Sequence, residues 1–353
     1  MWRLCVFLVF CLSVNRVGAQ TAFEIEVGGV GGFLMPHHSD MDYLVDGHIR
    51  GIEAALHFPA DGSKDWHHHF NFPSWGVSAS VYDLGSPRLG TGGAALAFLD
   101  MPLDGRRRFG IIAGIGAGYV SRPFDPETNF HNGAIGSRLN SALEMTAYGR
   151  IIFSERWTAK AGIGVRHFSN GSMQVPNSGI NLAVAKIAVQ YSARNAAVPE
   201  RRVPDTEKET ARIYAGGSGG LKQALPYGSS RHAVGNAFLN YQKRATAKSG
   251  WGFEAGINYN AALSSRAEDA GRVAASTENL RAYLAAQYML HLDPFALRFQ
   301  AGSYLFPEFE DDGLVFFKYH LLYSLDKWQF FVGLKSHFAK ADNIELGIAY
   351  RIK

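Results

Sequence analysis

Residues 251–260 read WGFEAGINYN, and the alternation in this stretch decides the expected fold. Every second position from Trp251 to Tyr259 is apolar, while the positions between them include Glu254 and Asn258. A strand of a transmembrane barrel turns one parity towards lipid and the other towards the interior, which gives this kind of alternation. The same pattern recurs in residues 108–120, 315–323 and 344–352. It predicts an all-β protein of antiparallel, membrane-spanning strands.

The first residues have the pattern of a secretory signal peptide. Arg3 precedes a short apolar run over residues 4–14, and small residues at positions 17–19 suit a cleavage site. We therefore expect a signal peptide over residues 1–19 and a mature chain that begins at Gln20. Cys5 and Cys11 are the only cysteines of the sequence, so the expected mature chain has no disulfide framework.

Composition favours the same class of protein. The 353 residues are 47 % hydrophobic, include 39 glycines, and carry a net charge of +4 without a basic cluster that would indicate nucleic acid. No stretch after the signal peptide reaches 18 uninterrupted apolar residues, so no transmembrane helix is expected. An exported chain rich in glycine and aromatic residues is typical of an outer-membrane β-barrel. The alternative on composition is a secreted β-sandwich or lectin.

The alternating segments predict a barrel over residues 20–353. We place sixteen strands near residues 22–35, 48–58, 72–82, 90–100, 108–120, 138–153, 156–168, 180–193, 209–219, 231–245, 249–261, 281–292, 295–306, 314–325, 328–337 and 343–352. A total of twelve or fourteen strands remains open if weak segments such as 209–219 do not span the membrane. Residues 20–193 form the half that carries the candidate site, and 209–353 supply further strands. Tight connections after even strands and long ones after odd strands predict short periplasmic turns and long external loops.

The candidate site lies at the end of the seventh strand. Its apolar parity continues into His167 and Ser169, and the parity of the eighth strand puts Asn181 on the same side. Polar side chains aimed at lipid are disfavoured unless they have a function there. A histidine that removes the proton of a serine hydroxyl allows acyl transfer from an ester in a membrane lipid to water. The alternative is two polar residues near the head groups, because the motif is short.

The segment HFSNGSMQVPNSGIN resembles the active-site segment of the outer-membrane lipid A 3-O-deacylases, also called acyloxyacyl hydrolases (the PagL family). The matching positions are His167, Phe168, Ser169, Asn170, Pro176, Asn177, Gly179 and Ile180. The similarity covers residues 22–193 well and the C-terminal half loosely, and neighbouring segments are similar to the longer, Bacteroidetes-type members. The resemblance implies an exterior site that removes an acyl chain from the lipid A of lipopolysaccharide. His167 would be the base and Ser169 the nucleophile, while Asn170, Gly171 and Asn177 would support the oxyanion.

Asn181 departs from the deacylase pattern, in which a glutamate stands at this position. An amide can still accept a hydrogen bond from the histidine, but it brings no charge to stabilise the imidazolium. Outer-membrane phospholipase A has a similar motif with a Ser-His-Asn triad, so a phospholipase A-like esterase is an alternative, and only that alternative implies Ca²⁺. A third hypothesis is a non-catalytic barrel that serves as a channel or a structural protein. No other cofactor or metal is expected, and the oligomeric state stays open.

Other polar clusters have simpler interpretations. His67, His68 and His69 are expected in an exposed turn, because consecutive histidines cannot all face one metal ion. His37, His38, Asp40 and Asp42 are expected in a solvated external loop, with contact to lipid phosphate or a divalent cation as the alternative. Parity points His337 and Glu345 into the lumen. Charged residues expected to pair inside the barrel are Glu144, Arg150, Lys160, Glu254, Arg298 and Lys318.

Overall fold

The computed structural model describes residues 23–37, 39–193, 199–202, 211–223, 227–269, 279–305, 313–338 and 340–353. The predicted signal peptide and His38 lie outside these residues. Sixteen strands form, as the alternation predicts. They are β1 (Glu24–Leu34), β2 (His48–Pro59), β3 (Ser74–Asp83), β4 (Thr91–Pro102), β5 (Phe109–Val120), β6 (Leu139–Ile152), β7 (Trp157–Ser169), β8 (Ile180–Ser192), β9 (Ala211–Gln223), β10 (Arg231–Arg244), β11 (Ser249–Asn260), β12 (Leu280–Leu292), β13 (Phe295–Leu305), β14 (Val315–Leu325), β15 (Trp328–His337) and β16 (Lys340–Arg351).

The sixteen strands close as two barrels, whereas we expected one. Strands β1–β8 form the first barrel and β9–β16 form the second. β8 pairs antiparallel with β1, from Glu24 opposite Ser192 to Leu34 opposite Leu182. β16 pairs with β9 in the same way. Alternation within a strand shows which face is buried but not which distant strand completes the ring, so closure is not visible in local sequence.

The side chains on the outer face of the first barrel are apolar, and many of those that point into its lumen are charged. On β7 and β8, Ile163 and Ile187 are each 72 % exposed. Between such positions, Lys160, Arg166 and Lys186 point inwards and are buried. This is the distribution expected of strands whose outer face meets a hydrocarbon phase.

Ion pairs fill the lumen of the first barrel. Lys160 Nζ lies 2.9 Å from Glu26 and 3.1 Å from Asp100, and Arg166 pairs with Glu53 at 2.9 Å and with Glu144. An eight-stranded barrel leaves an interior that side chains can fill, and here they fill it with paired charges. Glu144 and Lys160 therefore lie in the lumen, as predicted.

The lumen of the second barrel is filled in a similar way. Lys318 Nζ lies 3.3 Å from Glu254, and His320 Nε2 lies 3.1 Å from Glu345. Arg298 is 2 % exposed and His337 is 6 % exposed. The predicted inward positions of Glu254, Arg298, Lys318, His337 and Glu345 are confirmed.

An apolar cluster closes the first barrel at the end where β7 finishes, which we call the site end. It packs strand side chains such as Leu34, Phe168 and Leu182 against residues from the long loops. Ala134 and Ile135 come from the β5–β6 loop, and both are fully buried. The cluster gives the last residues of β7 a rigid base.

In the described parts of the connections, short helices comprise a 3-10 helix (Ser39–Leu44), α1 (Asp65–His69) and α2 (Ala262–Asp269). Among the described residues, no helix has the length and apolarity needed to cross a membrane. The prediction of an exposed turn for the three consecutive histidines is wrong in part, since His67 and His68 are buried in α1. His68 Nε2 lies 2.7 Å from the Gly62 carbonyl oxygen, and its ring packs edge-on against Phe72. A long-range contact adds to these, because the Arg202 backbone N–H donates to His68 Nδ1 at 3.3 Å.

Candidate active site

The candidate site is formed by the last residues of β7, the loop that follows it and the first two residues of β8. His167 has the parity of the exposed Ile163 and Val165, so its side chain lies on the outer face of the barrel. Asn181 is its direct partner across the β7–β8 pair. Neighbouring side chains on one face of an antiparallel pair lie close enough to interact, and register therefore brings these two polar groups together.

A chain of two hydrogen bonds runs from His167 to the first long loop. His167 Nδ1 lies 2.6 Å from Asn181 Oδ1, and Asn181 Nδ2 lies 2.9 Å from His37 Nδ1. An amide has one acceptor oxygen and one donor nitrogen, so its oxygen accepts from His167 while its nitrogen donates to His37. This arrangement places the proton of neutral His167 on Nδ1 and leaves Nε2 as a base.

Ser169 lies two residues further along the same face and is almost fully buried, at 6 % exposed. Asn177 Nδ2 donates to its hydroxyl oxygen at 3.0 Å, and the Gly171 backbone N–H donates to the same oxygen at 3.1 Å. Asn177 Oδ1 accepts from the Asn170 backbone N–H at 2.9 Å, which fixes the orientation of the amide. The serine oxygen thus lies among N–H donors rather than against His167.

The loop after Ser169 folds around the side chain of Asn170. Asn170 Nδ2 donates to Ser137 Oγ at 2.9 Å and to the Gln174 carbonyl oxygen at 2.8 Å. The chain turns at Gly171, whose φ of 62° lies in the left-handed region that glycine adopts without strain. The buried asparagine therefore acts as an internal brace for the turn that presents the Gly171 N–H.

A second glycine makes room for the histidine ring. Gly179 has a φ of 87°, and a Cβ at this position would lie 2.8 Å from His167 Cε1. Its backbone N–H donates to the Ala134 carbonyl oxygen at 2.8 Å. The loop that enters β8 is therefore anchored to the β5–β6 loop and lies directly beside the imidazole.

The fold brings together all six predicted site residues: His167, Ser169, Asn170, Gly171, Asn177 and Asn181. Sequence reasoning missed Ser137, which braces Asn170, and it assigned His37 to a solvated loop. His37 is instead half-buried and bonded to Asn181. Local sequence carries no signal for the Ser137–Asn170 or the His37–Asn181 contact, because each joins residues more than thirty positions apart. Within the described ranges, no group of three or more His, Cys, Asp or Glu residues could hold a metal ion.

The fold defines a β-barrel protein, and a serine, a histidine and an asparagine grouped at a strand end are the components of a serine-dependent hydrolase. Comparison with protein families agrees with that class. Residues 50–190 match the family of lipid A 3-O-deacylases (PagL), and residues 211–353 match the acyloxyacyl hydrolase C-terminal domain. The two matches cover most of the chain, and the protein belongs to the PagL family of acyloxyacyl hydrolases. Membership supports, at the level of the family, an ester hydrolase of lipid A in the outer membrane.

Solved structures add little to this assignment. A KdgM porin is 6 % identical, with 94 % of this chain and 99 % of the porin covered, and has a TM-score of 0.20. The siderophore receptor PirA from Pseudomonas aeruginosa is 8 % identical, with 95 % and 81 % covered, and has a TM-score of 0.24. Scores this low carry no argument. No curated protein matches the chain.

Proposed function

We propose that this protein removes an ester-linked acyl chain from lipid A by a Ser-His-Asn mechanism on the outer face of its first barrel. The observation that carries the proposal is the 2.6 Å hydrogen bond between His167 and Asn181, on the same face and at the same strand end as Ser169. This bond orients the imidazole and holds its proton on Nδ1, so that Nε2 can act on the serine.

In the first step, His167 Nε2 takes the proton of the Ser169 hydroxyl as Oγ attacks the ester carbonyl carbon. The Ser169 hydroxyl is bonded to Asn177, so the step requires rotation of the serine side chain towards His167. Hydrogen bonds of this kind often form fully only when substrate is bound. The carbonyl oxygen becomes an oxyanion. The Gly171 N–H and Asn177 Nδ2 lie 3.1 and 3.0 Å from Ser169 Oγ, and we assign them as the donors to the oxyanion.

Collapse of the tetrahedral intermediate breaks the ester bond. His167 gives its proton to the departing sugar hydroxyl oxygen, and the acyl chain remains as an ester on Ser169 Oγ. Water then attacks this acyl-enzyme, and His167 Nε2 accepts the proton of the water and returns it to Ser169 Oγ. The products are a fatty acid and lipid A with one free hydroxyl, and the enzyme is regenerated without a metal or cofactor in any step.

The place of the site favours a lipid substrate that stays in its membrane. His167 continues a row of exposed apolar side chains on the outer face, Ile163 and Val165 on β7 and Ile187 on β8. A site that ends such a row lies where the acyl region of a bilayer meets its polar surface. The ester bonds of lipid A occupy that depth in the outer leaflet.

A phospholipase A-like activity is the second candidate, and Asn181 is the residue that favours it. The asparagine replaces the glutamate of the deacylase pattern and gives a Ser-His-Asn set. A channel receives less support, since buried ion pairs fill the lumen of both barrels in the described part of the chain.

Mass spectrometry of lipid A tests the proposal. Cells that express the wild-type chain should contain lipid A with one acyl chain fewer, and cells that express Ser169→Ala should not. Ser154→Ala, in the exposed β6–β7 turn, is the control and should behave as wild type. Identical lipid A from wild type and Ser169→Ala, with phospholipids also intact, would contradict both enzyme hypotheses. Ca²⁺-dependent release of fatty acid from glycerophospholipids alone would favour the phospholipase.

A further inference from the structure

The loop that follows Ser169 is attached to the second barrel. Four hydrogen bonds join residues 172–175 to strands of that barrel: Ser172 Oγ to Ala341 O (2.6 Å), Gln223 N to Ser172 O (2.7 Å), Val175 N to Gln223 Oε1 (2.9 Å) and Arg231 Nε to Met173 O (2.9 Å). Gln223 contributes to two of them, one through its backbone N–H and one through its side-chain oxygen. The bonds are made by β9, β10 and β16, all at the site end.

The second barrel also touches the proposed oxyanion donor itself. Gly171 packs against the side chain of Ile344 so closely that a Cβ at position 171 would clash with it. Ile344 is half-buried by this contact, although Leu346 and Ile348 on the same face of β16 are 54 % and 43 % exposed. The Gly171 N–H lies 3.1 Å from Ser169 Oγ. One turn of chain therefore contacts the nucleophile on one side and the second barrel on the other.

We propose that the second barrel is a positioning element for the oxyanion donor, and that Gln223 and Ile344 are the residues through which it acts. The inference rests on the proposed Ser169 chemistry. Neither residue touches the reacting atoms. Gln223 fixes the loop through Ser172 and Val175, and Ile344 sets how closely Gly171 can approach the barrel wall.

The expected consequence is specific to the transition state. When Ser169 Oγ bonds to the ester carbon, the carbonyl π electrons move to oxygen and the Gly171 N–H must already point at that oxygen. A donor that is held in place costs no reorganisation at that moment. Loosening the loop should therefore lower kcat and leave KM almost unchanged, because the Gly171 N–H would act on an oxyanion that forms only after the substrate has bound.

Gln223→Met tests the attachment, since methionine keeps the volume and removes the acceptor for the Val175 N–H. We expect kcat for fatty acid release from lipopolysaccharide in detergent micelles to fall about tenfold, with KM within about twofold of wild type. Ile344→Ala, which leaves space beside Gly171, should lower kcat by roughly three- to tenfold. Gln329→Met is the matched control: Gln329 is a buried glutamine at the opposite end of the same barrel, bonded to Gln242 at 3.0 Å. It should keep wild-type kcat.

Labelling of Ser169 by a fluorophosphonate provides a second readout that does not depend on lipid binding. The phosphonyl oxygen needs the same donors as the ester oxyanion, so Gln223→Met and Ile344→Ala should label more slowly than wild type by the same factor as their loss of kcat. Unchanged kcat and labelling in both variants would overturn the inference, and so would a rise in KM alone. If Ser169→Ala still releases fatty acid, the proposed function fails first, so the two failures are distinguishable.

Discussion

The seventh strand of each barrel ends in a serine and a histidine, yet the two histidines point to opposite faces of the barrel wall. β7 ends in His167, Phe168 and Ser169, and its histidine points outwards. β15 ends in Lys335, Ser336 and His337, and its histidine points into the lumen. Side chains alternate with a period of two, so a change of one residue in parity moves a histidine from one face of the wall to the other.

The surroundings of the two histidines differ accordingly. His167 Nδ1 lies 2.6 Å from the Asn181 amide oxygen, whereas His337 Nδ1 lies 3.0 Å from the Val315 carbonyl oxygen and its Nε2 lies 3.7 Å from Asp342. The pairing of β15 with β16 also shifts between Lys335 and Ser336. A serine and a histidine at a strand end can therefore act on an external substrate only if their side chains point to the outer face.

Removal of each histidine should have very different effects on activity. His167→Gln should lower lipid A deacylation by roughly 10³-fold or more, because it removes the base that activates the serine. His337→Gln should retain activity within about twofold, since its interactions are lumenal. Both effects are measured as the rate of fatty acid release from lipopolysaccharide by the purified variants. A large loss from His337→Gln with an intact fold would show that the two strand ends are not functionally different.

A second prediction concerns the charged lumen beneath the site. Lys160→Met leaves Glu26 and Asp100 with one cation fewer, and breaking a buried pair in this way costs about 3–5 kcal/mol. Unfolding in urea, followed by tryptophan fluorescence, should therefore begin at a clearly lower concentration. Lys327→Met, in the exposed β14–β15 turn, should cost no more than about 0.5 kcal/mol. Equal midpoints for the two variants would mean that the lumenal pairs add little to stability.

Variants of Asn181 test what orients His167, the proposed base. Asn181→Ala removes the acceptor for His167 Nδ1–H and should lower kcat about 10- to 100-fold. Asn181→Asp supplies an acceptor with a charge and should restore activity to at least a third of the wild-type value. The kcat values of the three proteins, compared at saturating lipopolysaccharide, decide the matter. An alanine variant as active as wild type would exclude Asn181 from the mechanism.

His37 should give the smallest effect. It contacts Asn181 rather than the substrate, so His37→Ala is expected to lower kcat by only about two- to fivefold through loss of the acceptor for Asn181 Nδ2. The loss should disappear in the Asn181→Asp background, because aspartate has no amide to orient. A similar loss in both backgrounds would point to a role of His37 in loop packing.

The strands, the faces of their side chains and the common face of His167 and Ser169 could all be predicted from local sequence. Each depends on residues close together in the chain: alternation needs a few consecutive positions, and His167 and Ser169 are two apart on one strand. Asn181 was also placed correctly, because parity along β8 is local and a ten-residue connection brings the two strands together. The resemblance of residues 167–180 to the deacylases has the same local character.

The closure of each ring and the contacts that hold the candidate site depend on tertiary structure. Whether β8 pairs with β1 or continues into β9 depends on contacts between residues more than a hundred positions apart. The same is true of the bond from His37 to Asn181 and of the contact between Ile344 and Gly171. Such contacts leave no periodic signal, since they are selected by the shape and free hydrogen-bonding groups of surfaces that exist only after the barrels have closed.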